Sequence, residues 1–89
     1  MIMLLCLAKT YDLGMPKSNE NEFLDKLMRR IAQTRKDKSI TQEQLAAETG
    51  LDRVAIANIE TGKRRPTVTT IYRIAKGLGV KIEDLFKNL

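Results

Sequence analysis

The chain has 89 residues with 16 Lys and Arg against 11 Asp and Glu, a net charge of +5, one Cys and no His. One small domain is the expectation, with little room for a deep catalytic cavity. The lone Cys6 and the absence of His exclude an intrachain disulfide and a Cys/His zinc site, and they remove the commonest parts of an acid–base or nucleophilic active site.

The first residues, MIMLLCLA (1–8), are apolar but far short of the roughly 20 needed to span a bilayer. No basic residue precedes them, so they make a poor secretory signal. Three readings fit: an arm that pairs with a partner subunit, a loose tail, or an upstream extension with the true start at Met15. Residues 14–21 are polar and broken by Gly14 and Pro16, which reads as a linker. Residues 1–22 carry Lys9 and Lys17 against Asp12, Glu20 and Glu22, a net of −1, so the positive charge resides in the rest of the chain. The division is therefore an extension over 1–21 and a basic domain over 22–89. A basic domain attracts polyanions at long range.

From residue 21 onward the pattern is helical. Phe23, Leu24, Leu27, Met28 and Ile31 recur at three- and four-residue steps and predict a first helix over 22–37, with Asn21 as N-cap. Thr41-Gln-Glu-Gln44 fits a capping box and opens a second helix, with Leu45 and Ala46 inward, that Gly50 ends. A third helix begins at Asp52 as N-cap, turns Ile56 and Ile59 inward, and stops at Gly62. Lys63-Arg64-Arg65-Pro66 forms a basic loop. A fourth helix starts near Thr67, with Val68, Ile71, Ile74, Ala75 and Leu78 as its stripe and Gly79 as its end. Ile82, Leu85 and Phe86 mark a short fifth. The connections are too brief for crossovers, so neighbouring helices must pack together in an all-α fold.

The second and third helices are joined by a few residues only. Ala46 is small where they would cross, Gly50 permits a sharp turn, and Leu45, Leu51, Ile56 and Ile59 fill the wedge. That is the helix-turn-helix arrangement. At this point the sequence resembles the Cro/phage-repressor (XRE-type) family of transcription regulators. The likeness lies in Thr41-Gln-Glu-Gln-Leu-Ala-Ala-Glu-Thr-Gly50 and Leu51-Asp-Arg-Val-Ala-Ile-Ala-Asn-Ile-Glu-Thr-Gly-Lys63, extended by Pro66, Leu78-Gly-Val80 and Asp84-Leu-Phe86. It implies a five-helix, lambda-repressor-like domain that binds double-stranded DNA as a homodimer, without catalysis. The chain is expected in the cytoplasm, with no cofactor, metal or small-molecule ligand. One departure is Lys81, where the family usually places a capping Ser or Thr; the loss costs about 0.5–2 kcal/mol of cap stability.

With Ile56 and Ile59 inward, the outer face of the third helix carries Arg53, Val54, Ala57, Asn58 and Thr61, a stripe suited to the major groove. By resemblance, base reading falls on Arg53, Val54 and Asn58. The chemistry suits each: Arg to guanine, Asn to adenine, and an apolar contact to the thymine methyl. Gln42 stands where the family binds a phosphate, helped by the positive end of a helix. Ala57, Thr61, Lys63, Arg64 and Arg65 would line the DNA backbone. Arg35 and Glu60 occupy positions that the family often pairs; with Ala46, Gly50 and Ile56 they read as structural.

One helix reads only a few base pairs, so a two-fold dimer is expected, with Phe86, Leu89 and Tyr72 as interface candidates. Single-domain relatives include restriction–modification controller proteins, which Leu51-Asp52-Arg53 resembles, and small prophage regulators. Two other readings share the fold: an antitoxin that binds a toxin protein and its own operator, and a protein-interaction module without DNA binding.

Overall fold

The computed structural model describes residues 17–89 as five helices: α1 Lys17–Asp37, α2 Gln42–Thr49, α3 Arg53–Glu60, α4 Val68–Leu78 and α5 Ile82–Phe86. No strand occurs among the described residues, and no helix among them is long and apolar enough to cross a membrane. The apolar arm and the alternative start at Met15 lie outside the described residues.

Local chemistry sets most of the boundaries. Thr41 Oγ1 accepts from the Gln44 amide at 3.0 Å while Gln44 Oε1 accepts from the Thr41 amide at 2.8 Å, closing the capping box of α2. Asp52 caps α3 by accepting from the Ala55 amide at 2.7 Å, and Thr67 caps α4 by accepting from the Thr70 amide at 3.1 Å. The Lys81 side chain has no acceptor atom to offer α5. Only the reciprocal half of that cap forms, with Asp84 Oδ2 accepting from the Lys81 amide at 3.1 Å.

α1 starts at Lys17 rather than at 22, so Asn21 lies inside the helix and is not its cap. Glu20 in the first turn suits the positive end of the helix dipole and favours the longer helix. α3 ends at Glu60, with Thr61 as C-cap, and Gly62 follows in the left-handed region.

Leu27, Ile31, Leu45, Ile56, Ile59, Ile74 and Leu85 are completely enclosed, and every helix contributes at least one of them. Each such side chain is worth about 1.5–3 kcal/mol of transfer free energy. Two members of the predicted stripes do not join this core. Phe23 is 44% and Val68 76% exposed. Periodicity fixes the phase of a helix face but not whether a neighbour reaches that turn. Leu89, expected on a dimer face, is half-buried and packs against the protomer's own core.

α2 lies against α4 more extensively than any other pair of helices. Gly77 permits that closeness. A Cβ there would stand 3.0 Å from Leu45 Cδ1, 3.2 Å from Glu48 Cβ and 3.3 Å from Thr49 Cγ2. Alanine would gain about 1 kcal/mol of helix propensity but lose about 1–3 kcal/mol to overpacking. Gly77→Ala is therefore expected to lower stability by about 1 kcal/mol, read from the urea unfolding midpoint.

Candidate nucleic-acid interface

The corner between α2 and α3 is three residues long. Gly50 has φ +77°, and its amide donates to the Ala46 carbonyl at 3.0 Å. Other residues reach this left-handed region only at a cost. Thr49, not singled out by the sequence, is buried and ties the corner from inside. Its hydroxyl donates to the Ala46 carbonyl at 3.1 Å and accepts from the Leu51 amide at 3.3 Å. A buried Thr at a helix end is invisible to a periodicity argument.

The corner orients α3. Ala55, Ile56 and Ile59 are buried, and Leu51 packs partly against the core. The opposite side presents Arg53, Val54 and Thr61 in the open and Ala57 and Asn58 half-exposed. Val54 is 57% exposed. The five residues of the expected reading stripe thus share one outward face.

The basic loop folds back on α3. The Asn58 carbonyl accepts from the Lys63 amide at 2.9 Å and the Arg64 amide at 3.1 Å, so both residues stand at the end of the stripe. The Arg65 guanidinium donates to Asn21 Oδ1 at 2.8 Å, tying this cation to α1. The Thr61 hydroxyl donates to the Ala57 carbonyl at 2.9 Å and keeps its acceptor capacity.

At the edge of the stripe lies an ion pair. Arg35 of α1 meets Glu60 of α3 in a two-pronged contact, Nε to Oε2 at 2.6 Å and Nη2 to Oε1 at 3.0 Å. Arg35 Nη1 also donates to the Ile40 carbonyl at 2.8 Å. The side chains are 11% and 5% exposed. Arg35 therefore offsets the one carboxylate at the base of α3, and the Asp52 carboxylate is engaged as a cap, so the outer face stays cationic. Gln42, read as a phosphate contact, is half-buried and already engaged. Its Nε2 donates to Glu60 Oε1 at 3.0 Å, and its Oε1 accepts from Arg53 Nη1 at 3.4 Å.

Away from α3, Phe86 is 38% exposed and stacks on Phe23, with ring centroids 6.1 Å apart and planes 21° from parallel. This pairing joins α1 to α5, as does Arg30, whose Nη1 donates to the Asp84 carbonyl at 3.0 Å. The sequence places Phe23 on the apolar stripe of the first helix; only the folded chain reveals it beside Phe86. Tyr72 is 51% exposed, with the Lys76 ammonium 5.7 Å from its ring centroid.

Residues 31–85 match the family model described as Helix-turn-helix. An uncharacterized HTH-type transcriptional regulator of Methanocaldococcus jannaschii is 48% identical over 48 residues, covering 54% of this chain and 73% of that protein. Control protein C.MunI of a Mycoplasma species is 34% identical over 61 residues, covering 67% of this chain and 82% of its own length. Among solved structures, the wild-type restriction–modification controller protein C.Esp1396I superposes with a TM-score of 0.70 at 37% identity, covering 73% of this chain and 86% of that one.

The ion pair can be tested directly. Glu60→Ala leaves Arg35 buried without its partner and is expected to cost about 3–5 kcal/mol in urea unfolding. Replacing both residues, Arg35→Met with Glu60→Leu, is expected to recover most of that loss.

Proposed function

From the premise that this chain belongs to the helix-turn-helix family, we propose that it is a transcription regulator that reads double-stranded DNA by laying α3 in the major groove. The reading rests on one observation. Arg53, Val54 and Asn58 share the outward face of a helix whose other side is locked into the core.

In the proposed complex Arg53 donates two bonds to a guanine edge, Asn58 pairs with adenine, and Val54 packs on a thymine methyl. Lys63 and Arg64 grip the phosphates beside the reading helix, with Arg65 nearby on its Asn21 tether. Ala57 and Thr61 lie close to the backbone. The second amide hydrogen of Gln42 remains for a phosphate at the start of α2. The protein works by binding alone, in the cytoplasm, with no catalysis and no small-molecule ligand.

Two copies related by a two-fold axis would read half-sites about 10 base pairs apart, centre to centre. The dimer face is assigned to Phe86 and its stacking partner Phe23, with Tyr72 exposed on α4 as a further candidate and Leu89 packed into the protomer's own core. The likeness to the controller proteins C.MunI and C.Esp1396I supports a regulator of the restriction–modification type.

Sites selected from a random duplex pool should be two-fold symmetric. Arg53→Ala should relax the preference at one base pair per half-site by about 1–3 kcal/mol. Equal preference in wild type and variant would remove that role from Arg53. Arg64→Ala should instead weaken every sequence alike and reduce the slope of log affinity against log salt by about 0.9. Phe86→Asp should shift the protein toward monomer in sedimentation equilibrium; an unchanged dimer would place the interface elsewhere.

A further inference from the structure

We infer that Glu60 and Gln42 are positioning residues for Arg53, so that the buried ion pair sets the aim of the guanidinium proposed to read a base. The inference rests on the DNA-reading role proposed for α3. It adds a specificity role to an ion pair otherwise read as structural.

Arg53 and Glu60 are the first and last residues of α3. Seven residues make about two turns and about 10 Å of helix, so both lie on one side of it. The Gln42 side chain, from the first turn of α2, spans that interval. It meets Glu60 Oε1 at 3.0 Å with one end and Arg53 Nη1 at 3.4 Å with the other.

The chemistry of a primary amide makes this a directional link. One end only donates and the other only accepts. Ionised Glu60 only accepts, so Gln42 must turn Nε2 toward it. That leaves Oε1 facing the start of α3, where it suits a donor such as Arg53. The flipped amide would set its oxygen against a carboxylate and its NH2 against a guanidinium, and both ends would repel. Glu60 cannot swing to accommodate a flip, because its side chain is 5% exposed and Arg35 holds both its oxygens. Arg35, buried between α1 and α3, thus determines the polarity of an amide whose far end touches the exposed Arg53.

The consequence is pre-organisation. A long cationic side chain held in place before docking loses less rotamer freedom on binding. The contact to Arg53 is the longest of the chain, so the restraint is firm at its buried end and compliant where the duplex would arrive.

The test uses the full-length protein and the duplex that wild type selects from a random pool. A second duplex changes the base pair at which Arg53→Ala loses its preference. The readout is the ratio of the two affinities, in which the folded fraction of each variant cancels. Gln42→Met removes the amide but keeps the length. It should lower that ratio by about threefold or more, and by less when Arg53 is already Ala. Glu60→Gln should lower the same ratio, while the preference at the base pair read by Asn58 stays intact. If Gln42→Met weakens both duplexes equally, its amide serves only the phosphate backbone and the inference falls. A ratio unchanged in Glu60→Gln would remove Glu60 from the chain of control. Failure of wild type to enrich any duplex would overturn the DNA-reading role of α3 and this inference with it.

Discussion

Arg35 and Glu60 meet in a space from which water is largely shut out, and the rest of the molecule is arranged around that fact. Taking two charges out of water is expensive, and the pair repays this only if its geometry is good and its remaining hydrogen-bonding groups are satisfied. Here they are. Both Glu60 oxygens accept from the guanidinium, and Arg35 uses its third nitrogen on the Ile40 carbonyl. The result is a three-way tie among α1, the loop that follows it, and the last residue of α3. An aliphatic pair could fill the same volume, but it could not fix the rotation of α3 through directional bonds.

That fixation matters because α2 and α3 have only eight residues each. Helices so short are not stable by themselves in water. They exist because caps satisfy their ends, because Gly50 and Thr49 close the corner, and because Leu45, Ile56 and Ile59 are enclosed. Gly77 lets α4 press against α2 on the far side. The outward residues of α3 are therefore presented on a rigid support, and their placement follows from the burial of their neighbours.

Much of this was legible in the sequence, for reasons that can be named. Thr41, Asp52 and Thr67 announce helix starts because capping is a local event, decided within three residues. The inward set on α3 follows from period alone, and the outward stripe is its complement. What periodicity cannot supply is the identity of the element opposite. Phe23 and Val68 are in phase with their helices yet uncovered, while Leu89 is covered by its own protomer. Pro16 and the polar residues around it look like a linker, so the sequence pattern starts the helix later than Lys17, where α1 begins. Gly77 looks like a weakness within its helix until the neighbouring helix is seen against it. The bonds of the Gln42 amide to Glu60 and Arg53 depend on tertiary placement that no short motif encodes.

The basic loop is stitched to α3 by main-chain amides, two of them converging on one carbonyl, and not by the side chains of Lys63 and Arg64. Architecture and charge are thereby uncoupled at that edge. A cation can be replaced at either position without breaking the bonds that hold the loop to α3. Under the proposed DNA-binding mode, the strength of the grip can then change separately from the sequence that α3 would read.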